Sequence, residues 1–597
     1  MDLHFTADEP TPEEMDAVDG CLAAAVTNGG GNRQHLLPVL HALQGRVGWI
    51  SPGGLNYACR RLEVPPAEAF GVADFYALFQ TRPHPPVTVH VCDDVACMHH
   101  GSEAVCTGLE ALLGPEGSSR DGFATWHRSP CLGLCERAPA ALIAAAGDPP
   151  RDQAAAPAAE PDVRAALAGE TVPEPSAALS VPQMGEPGLI LLRRVGRVDP
   201  MSLDDYRAQG GFLALRRAFE MGPEAVVREV TDSKLVGRGG AAFPTGLKWQ
   251  SVRSAPSPRY LVCNADESEP GTFKDRVILE HDPFSLIESM TIAGFATGCE
   301  KGFIYLRGEY PVALERLENA LRRCRERGFL GDNVLGDGVR FDIELRRGAG
   351  AYICGEETAL LNSIEGLRGE PRNKPPFPTQ VGLFGQPTVI NNVETLVNVL
   401  PILMEGGKAY AQIGTEKSTG PKLFCVSGHV KRPGLYEAPF GITLREILDL
   451  AGGIGGTGRL QAILLGGAAG AFVTPEQLDI PLTFEGTRAA GAALGSAVVL
   501  PFDDTVDLRH VLRRIARFFR DESCGQCVPC RVGTVRQEEL IHRMIEGRTI
   551  GSVNQELALL QEVGQVMRDA SICGLGQTAS SAIESALARF PIFQETR

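Results

Sequence analysis

The sequence predicts a multidomain α/β protein, and three observations lead to this prediction. The chain has 597 residues, which is too long for one hydrophobic core and corresponds to about three to five domains. Strand-like runs alternate with helix-like segments between about residues 186 and 415, which is the pattern of a layered α/β domain. Amphipathic helical patterns occur on both sides of this region, near the N-terminus and from residue 507 onward.

Composition and charge exclude several classes of protein. The chain is 44% hydrophobic and 22% charged, with no apolar run near the ~20 residues of a membrane helix, so it is not expected to span a membrane. The net charge of −16 argues against a nucleic-acid backbone as partner, because such binding relies on clustered Lys and Arg. The first ten residues lack the basic start and apolar core of a secretory signal, which predicts a reducing, cytoplasmic location without disulfides.

The N-terminal part is predicted to contain a helical region followed by a strand. Apolar residues recur at helical spacing from Leu36 to Val47, so residues from about 11 to 80 are expected to be largely helical. The β-branched run from Val87 to Val91 predicts a strand that ends at Cys92. Residues 147 to 186 are rich in Ala, Pro and Glu with little periodicity, which predicts that this stretch is partly a linker.

The rest of the chain is predicted to contain an α/β domain, a β-rich domain and a helical bundle. The strand-like runs of the α/β domain are Tyr260 to Cys263, Gly302 to Leu306 and Phe341 to Leu345. Runs from Lys422 to Val430 and from Ala497 to Leu500 predict a small β-rich domain with one helix. Amphipathic patterns from Asp507 onward predict the bundle, and the arginines between Arg513 and Arg517 are expected on a solvated helix face.

Eight of the 16 cysteines form two groups near opposite ends of the chain. The N-terminal group is Cys92, Cys97, Cys131 and Cys135, and the C-terminal group is Cys524, Cys527, Cys530 and Cys573. Four thiolates commonly hold one 2Fe-2S or 4Fe-4S cluster, and short spacers let one loop present several sulfurs to it. The spacing therefore predicts two iron–sulfur clusters and a role in electron transfer.

Zinc sites and buried structural thiols are the alternatives to iron–sulfur clusters. Three ligands within the seven residues from Cys524 to Cys530 suit a cubane cluster better than the paired hairpins of a structural zinc site. The other eight cysteines, including Cys21, Cys59, Cys299 and Cys324, are not grouped, and we expect them to be small buried hydrophobic residues.

Three polar or glycine-rich loops lie between the cysteine groups. The loop from Gly237 to Trp249 carries two cationic side chains and could be an anion-binding nest or a simple turn. The loop from Asn264 to Arg276 follows a strand, where open α/β sheets bind ligands, although helix-capping acids are the alternative. The loop from Gly348 to Glu357 brings two carboxylates to a helix N-terminus. Three such loops predict one ligand site.

Taken together, these motifs and the segment from Cys131 to Pro139 make nearly the whole chain resemble a fusion of two subunits. The subunits are the 24-kDa-type and 51-kDa-type proteins of the NADH-dehydrogenase module found in respiratory complex I, NAD-reducing hydrogenases and NAD-dependent formate dehydrogenases. The resemblance implies a helical cap (1–80), a thioredoxin-like 2Fe-2S domain (81–175), a linker (176–189), a Rossmann-like FMN- and NAD-binding domain (190–415), a ubiquitin-like β-grasp domain of the ligand-binding type (416–505) and a helical bundle with a 4Fe-4S cluster (506–597).

The resemblance also implies the residues of a flavin and nucleotide site. It assigns FMN binding to Gly237, Arg238, Gly239, Gly240, Lys248, Asn264, Asp266, Glu267, Ser268, Asn391, Asn392 and Thr395. It assigns the flavin and nicotinamide pocket to Tyr352, Gly355, Glu356 and Glu357, and NAD(H) contacts to Phe243, Glu269, Lys374 and Phe377. Glu269 and Glu357 are expected to position the nicotinamide carboxamide for hydride transfer. The two cysteine groups are expected to hold the 2Fe-2S and 4Fe-4S clusters.

Two positions depart from the family pattern. Ala242 stands where the family usually has glycine, and Ser251 stands where some members have an aromatic residue beside the adenine. Neither residue replaces a catalytic group, but both departures are expected to affect the affinity for the nucleotide.

The implied function is that of a diaphorase subunit that reduces NAD+ with electrons from formate oxidised in a partner subunit containing molybdenum or tungsten. The complete N-terminal cysteine group favours this partner over some fused hydrogenase subunits, and the segment from Asp569 to Gln577 resembles formate dehydrogenase flavoproteins. The alternatives are a hydrogenase or complex I diaphorase and, from a different class, a non-enzymatic electron carrier or redox sensor.

Overall fold

A computed structural model describes residues 6–24 and 32–593. The N-terminal region holds four helices, and the sequence explains their limits. The helices are α1 (Pro12–Ala24), α2 (Leu36–Val47), α3 (Pro52–Leu62) and α4 (Pro66–Ala73). The Ser51 side chain accepts a hydrogen bond from the Gly54 N–H at the start of α3, and Pro52 occupies the first turn, where no donor is lost.

A four-stranded sheet with two helices follows. Its elements are β1 (Val87–Cys92), α5 (Ser102–Leu113), β2 (Ala124–Ser129), β3 (Ala141–Ala145), β4 (Arg151–Ala155) and α6 (Glu160–Leu167). The strand order is β2-β1-β3-β4, with β1 and β2 parallel and the other pairs antiparallel. The predicted strand before Cys92 is therefore confirmed. The stretch 147–186, expected to be partly a linker, contains β4 and α6 in its first half, because the apolar Ala155 and Val163 pack into the core of this sheet.

The α/β domain is built on a second sheet with helices on its faces. Its elements are α7 (Ala177–Ser180), α8 (Leu203–Ala208), α9 (Leu213–Met221), α10 (Pro223–Asp232), α11 (Thr245–Arg253), β5 (Tyr260–Ala265), α12 (Lys274–His281), α13 (Pro283–Thr297), β6 (Lys301–Leu306), α14 (Pro311–Glu326), β7 (Gly331–Val334), β8 (Val339–Arg347), α15 (Glu357–Ile364), β9 (Thr388–Asn392), α16 (Val393–Val397), α17 (Val399–Glu405) and α18 (Gly407–Tyr410). The strand order is β7-β8-β6-β5-β9, and all neighbours are parallel except the edge strand β7.

A third sheet and a helical bundle complete the chain. The sheet, of order β11-β10-β14-β12-β13, and its helices are β10 (Pro421–Val426), β11 (Gly434–Pro439), α19 (Leu444–Leu450), β12 (Leu460–Leu465), β13 (Ala471–Val473), α20 (Phe484–Ala489) and β14 (Val498–Asp503). The bundle contains α21 (Leu508–Glu522), α22 (Val528–Ile545), α23 (Val553–Ala570), α24 (Gly574–Thr578) and α25 (Ser581–Arg589). This arrangement agrees with the predicted β-rich segment and C-terminal helices, although the segment has a second helix, α20, beside the expected one, and the numerical domain boundaries stay a prediction.

One large hydrophobic core joins the N-terminal helices, the α/β domain and the bundle, and the other two sheets have smaller cores of their own. Buried polar contacts also cross between the parts, such as the 2.7 Å hydrogen bond from the Tyr76 hydroxyl to Ser363 Oγ. Such buried hydrogen bonds restrict how two packed surfaces can meet. Within the described residues, no helix combines the length and the apolar character needed to cross a membrane.

Candidate functional site

The three loops predicted to form a ligand site meet at one edge of the α/β sheet. Strands β5 and β9 are parallel neighbours, with Asn264 opposite Asn392, so the acidic loop after β5 and the asparagines at the end of β9 lie at the same edge. The loop from Gly348 to Glu357 follows β8 and is tied to the acidic loop by a 2.8 Å hydrogen bond from Asn264 Nδ2 to the Gly355 carbonyl. We call this group of loops the rim.

The glycine-rich loop folds back on itself before helix α11. The Gly237 N–H donates to the Phe243 carbonyl at 2.9 Å, and Gly240 adopts a φ of 111°, a conformation that glycine permits. Ala242 adopts a φ of 52°. The glycine expected at this position would have a backbone reason, since positive φ is costly for a residue with a Cβ. Ser251 is exposed on α11.

Arg238 and Lys248 place their charges differently. The Arg238 guanidinium is fully buried below the loop, where Nη2 donates to the Thr419 carbonyl at 2.6 Å. Its Nε and Nη1 have no hydrogen-bond partner in the part of the chain that the structure describes. Lys248 Nζ donates to the Ile390 carbonyl at 3.0 Å and lies 3.7 Å from Glu357 Oε2. Burial lowers the pKa of Lys248 despite that carboxylate.

The acidic side chains in the loop after β5 have different roles, and one of them caps a helix. Asp266 is partly buried, its buried Oδ2 has no hydrogen-bond partner among the described residues, and burial raises its pKa well above the ordinary value. Ser268 is also buried. Glu267 accepts hydrogen bonds from the backbone N–H groups of Asp275 and Arg276, both at 2.9 Å, at the start of α12. The Glu267 carboxylate thus caps a helix, so the alternative interpretation of helix-capping acids applies to this residue.

Glu269 links the rim to two other parts of the protein. It accepts a 2.5 Å hydrogen bond from the Tyr352 hydroxyl and a 2.8 Å bond from the Ala469 N–H. Burial, the largest effect, raises the pKa of Glu269 to about 7, while these two donors oppose the increase. The Tyr352 N–H donates to Glu522 Oε2 on α21 at 2.8 Å. Glu269 and Tyr352 are therefore connected to the helix that precedes the C-terminal cysteines.

A second charged group lies at the start of α15. Lys374 Nζ is 2.9 Å from Glu356 Oε1 and 3.2 Å from Glu357 Oε1, so the two carboxylates share a cation. Glu356 also caps α15 by accepting from the Thr358 and Ala359 N–H groups. The aromatic side chains expected to stack on NAD(H) are accessible, with Phe243 52% and Phe377 53% exposed. Such rings offer apolar faces beside a charged cluster.

The asparagines after β9 are held by neighbouring side chains. Asn391 Oδ1 accepts from Trp249 Nε1 at 2.9 Å, and Asn392 Nδ2 donates to Asp275 Oδ2 at 2.6 Å. A Cβ added to Gly239 would lie 3.3 Å from Asn392 Cβ, so the glycine-rich loop packs closely on this residue. Thr395 Oγ1 accepts from the Arg238 N–H at 2.8 Å. These contacts bring the glycine-rich loop, Asn391, Asn392 and Thr395 together, although several of these side chains already have protein partners.

The residues of the rim fit a phosphorylated flavin. The uncommitted Nε and Nη1 groups of Arg238, the glycine-rich backbone and the nearby Lys248 can satisfy a phosphate. The free Oδ2 of Asp266 can hydrogen-bond a polar group of the ring or ribityl chain. The apolar aromatic faces of Phe243 and Phe377 suit a second planar ligand.

The N-terminal cysteine group is assembled by loops of the first sheet. Cys92 ends β1, Cys97 begins a short 3₁₀ helix, and all four thiols are buried. The Sγ atoms of Cys131 and Cys135 are 3.3 Å apart. Asp94 Oδ2 accepts from the Cys131 N–H at 3.1 Å, which fixes the two halves of the group relative to each other. The structure therefore brings together the four predicted ligands.

The C-terminal cysteine group lines one small pocket in the bundle. Cys524, Cys527, Cys530 and Cys573 surround it, together with apolar residues that include Ile353. In residues 6–24 and 32–593, no three His, Cys, Asp or Glu side chains converge as ligands of one metal ion would. Four thiols around one pocket fit the ligand set of a 4Fe-4S cluster.

The remaining cysteines agree with the expected structural role. All 16 thiols are free, so no disulfide occurs among the described residues. Cys59, Cys299 and Cys324 are buried, and Cys21 is partly buried.

Sequence reasoning missed three residues that fix the N-terminal cysteine group against the α/β domain. Arg276 Nε donates to the Gly133 carbonyl at 2.8 Å, and Arg307 Nη2 donates to the Cys131 carbonyl. Tyr310 packs so closely that a Cβ on Gly133 would overlap its hydroxyl. No local pattern marks these residues, because their partners lie more than 140 positions away in the chain.

Protein-family models match four parts of the chain. A thioredoxin-like [2Fe-2S] ferredoxin model matches residues 22–150, and the Nuo51 FMN-binding domain matches residues 230–401. An SLBB domain matches residues 423–468, and the iron-sulfur binding region of NADH-ubiquinone oxidoreductase-F matches residues 510–596. The predicted multidomain fold and the predicted FMN, 2Fe-2S, 4Fe-4S and NAD(H) ligands are confirmed at this level.

Individual relatives extend over most of the chain. It is 46% identical over 403 residues to the F subunit of NADH-quinone oxidoreductase from Aquifex aeolicus (strain VF5), covering 67% of this chain and 92% of that protein. It is 42% identical over 403 residues to the HndC subunit of the NADP-reducing hydrogenase from Solidesulfovibrio fructosivorans, covering 67% and 81% of the two chains.

A solved structure matches the fold as a whole. A chain in the crystal structure of an NAD+-reducing [NiFe]-hydrogenase in the H2-reduced state superimposes with a TM-score of 0.78 and 34% identity. The match covers 93% of this chain and 91% of that chain, and so includes the N-terminal cysteine region. The chain therefore belongs to the family of the NADH-quinone oxidoreductase F subunits and their hydrogenase counterparts, with a thioredoxin-like [2Fe-2S] region fused before the Nuo51 FMN-binding domain.

Proposed function

We propose that this chain exchanges a hydride between NAD(H) and FMN and passes single electrons between FMN and its iron–sulfur clusters. FMN, when bound, supplies the conversion between hydride transfer and single-electron transfer. One observation carries the proposal: the four-residue helix Tyr352–Gly355 belongs to both sites. Gly355 accepts from Asn264 at the rim, while Ile353 lines the C-terminal cysteine pocket. The two redox sites are thus separated by a single turn of chain.

The protein's own residues orient the nucleotide in this proposal. Glu269 and Glu357 accept hydrogen bonds from the nicotinamide carboxamide, which positions the ring for transfer without either group acting as an acid or base. Lys374, which now pairs with Glu356 and Glu357, supplies charge to the nucleotide phosphates, while Lys248 serves the flavin phosphate. The exposed rings of Phe243 and Phe377 cover the aromatic parts of the ligand and exclude water.

The test is NADH oxidation by ferricyanide in protein that contains FMN and both clusters. We expect steady turnover and bleaching of the flavin absorbance by NADH under anaerobic conditions. Flavin-loaded protein without turnover would overturn the diaphorase proposal and favour a non-enzymatic electron carrier or redox sensor. A cytoplasmic location is part of the proposal, since the free thiols fit a reducing compartment.

We also propose that the electrons come from formate, oxidised in a partner subunit that contains molybdenum or tungsten. Two sequence features support this partner, namely the complete N-terminal cysteine group and the segment from Asp569 to Gln577 that resembles formate dehydrogenase flavoproteins. Copurification followed by metal analysis tests it. Molybdenum or tungsten with formate-dependent NAD+ reduction is the expected result, and nickel in the complex would overturn it.

A hydrogenase partner is the second candidate. The observation in its favour is the whole-chain similarity, at 34% identity, to a chain of an NAD+-reducing [NiFe]-hydrogenase. This candidate predicts nickel in the copurified complex and NAD+ reduction that depends on hydrogen but not on formate. A complex I role predicts neither metal and copurification with quinone-reducing subunits.

A further inference from the structure

An arginine-rich cleft lies between the N-terminal cysteine domain and helix α21, away from the rim. Its volume is about 560 Å³. Five arginines line it, namely Arg128, Arg513, Arg514, Arg517 and Arg520, and two histidines accompany them. None of the predicted flavin or nucleotide ligands is among its lining residues. The cleft is therefore a separate feature.

The arginines on α21 share one helix face. Positions 510, 513, 514, 517 and 520 follow the spacing that places side chains along one stripe of a helix. The expectation that this stripe is solvated is wrong for Arg514, which is only 7% exposed because the loop after β1 packs over it. The stripe lines the cleft together with Arg128 of β2.

Ion pairs occupy only part of this positive charge. Arg514 Nη2 lies 3.1 Å from both Asp93 Oδ1 and Asp94 Oδ2, Arg128 pairs with Glu103, and Arg520 pairs with Glu538. Asp521 pairs with Arg517 and Arg520 from the end of the stripe.

Two sets of donors are left over. Within the described parts of the chain, Arg513 has no hydrogen-bond or ionic partner, and the buried Nη1 of Arg514 has no hydrogen-bond partner. A buried guanidinium N–H without an acceptor costs free energy, which an anion in the cleft would recover. The two residues are adjacent in sequence and both line the cleft.

We propose that this cleft binds a small polyanion with two or more phosphate groups, held by Arg513, Nη1 of Arg514 and Arg517. The volume is that of a small-molecule pocket. Guanidinium forks match phosphate oxygens in pairs, and several forks on one wall suit a chain of phosphates better than a single small anion. Asp93 and Met98 line the cleft and flank the cluster ligands Cys92 and Cys97, so the ligand lies beside the N-terminal cluster.

The experiment measures binding of inorganic pyrophosphate to the complete chain with FMN and clusters, by calorimetry at constant ionic strength. The test variant is Arg513→Gln with Arg517→Gln, which leaves the buried Arg514 intact. We expect its dissociation constant to rise at least about tenfold, because two charge-assisted contacts are lost. The matched control, Arg322→Gln with Arg323→Gln on the exposed face of α14, should bind like the wild type.

Three results would overturn the proposal. The first is equal affinity in the test variant and the wild type. The second is loss of binding only in Lys374→Met, which would place pyrophosphate at the rim. The third is binding of an acidic peptide without binding of pyrophosphate, which would make the cleft a protein-docking surface. None of these outcomes depends on NADH oxidation, so the proposal can fail while the diaphorase function holds.

Discussion

Nε of Arg276 on α12 lies 2.8 Å from the carbonyl oxygen of Gly133, in the loop between Cys131 and Cys135. The same guanidinium pairs with Glu136 and with Glu280, and both Arg276 and Glu136 are buried. A charged residue of the flavin-binding domain therefore holds the loop that carries two ligands of the N-terminal cluster. The geometry of that cluster relative to the rim depends on this contact.

Replacing Arg276 with Gln should loosen the N-terminal cysteine domain. Removing one partner of a buried ion pair leaves an uncompensated charge and costs about 3–5 kcal/mol. We expect a lower urea midpoint, measured by circular dichroism, and faster proteolysis between the two domains. Arg164→Gln is the control, because the side chains of Arg164 and of its partner Glu160 are both 51% exposed. This change should lower the free energy of unfolding by under about 1 kcal/mol. The double variant that combines Arg276→Gln with Glu136→Gln should lose less unfolding free energy than the two single variants lose together.

Gly133 and Gly122 offer a matched test of close packing. Both have positive φ, at 68° and 73°, but a Cβ at Gly133 would overlap the Tyr310 hydroxyl, while nothing lies within 4 Å of a Cβ at Gly122. Gly122→Ala should cost about 1 kcal/mol from backbone strain alone. Gly133→Ala should lower the free energy of unfolding by a further ~1–3 kcal/mol, because the added methyl clashes with Tyr310. It should also change the electron paramagnetic resonance spectrum of the N-terminal cluster. Equal effects of the two changes would contradict the described docking.

The pKa of Glu269, raised to about 7 by burial, predicts a pH dependence of NADH affinity. The ionised carboxylate accepts hydrogen bonds better, so KM for NADH should rise as the pH falls through 7. Tyr352→Phe removes a donor that lowers this pKa, so its inflection should move to higher pH. Glu269→Gln should abolish the inflection, and an unchanged profile in both variants would contradict the assignment.

The same shift makes a prediction about stability. The folded-state pKa lies above the ordinary value of 4.5, so the folded chain binds this proton more tightly between about pH 4.5 and 7. This group's contribution to the free energy of unfolding is therefore largest below that window and decreases as the pH rises through it. Glu269→Gln should flatten that part of the stability profile, measured as urea midpoints across the window.

Lys374→Met should raise KM for NADH by roughly tenfold, because one charge-assisted contact to phosphate contributes about 1.5–3 kcal/mol. The loss also leaves Glu356 and Glu357 without their shared cation, which adds repulsion toward the nucleotide. Lys417→Met, at an exposed position, is the control and should leave KM unchanged. Equal KM values in the two variants would exclude Lys374 from nucleotide binding.

Cys573→Ser should lower the iron content by the four atoms of one 4Fe-4S cluster and remove the corresponding paramagnetic resonance signal on reduction. The N-terminal cluster signal should persist, because its ligands lie in another domain. Cys106→Ser, at a buried thiol of α5 outside both groups, should keep both clusters. Zinc in place of iron in the wild-type protein would contradict the cluster assignment.

Spacing and composition were enough to predict much of this protein. Ligand residues that share a loop are close in the chain, so the set from Cys524 to Cys530 could be recognised without knowledge of the fold. The strand before Cys92 and the two polar loops after β5 and β8 could be predicted from local periodicity, because parallel strands bring their carboxyl ends to one edge.

The tertiary structure decided which way the charged side chains point. The sequence predicted that Arg238 and Glu267 lie in ligand-binding loops. In the structure, the Arg238 guanidinium donates to the Thr419 carbonyl, and the Glu267 carboxylate caps α12. The sequence also predicted that the arginines of α21 are solvated, whereas Arg514 is covered by the loop at Asp93 and Asp94. The physical reason is that a long side chain reaches partners determined by packing between distant segments, and local sequence carries no record of those partners.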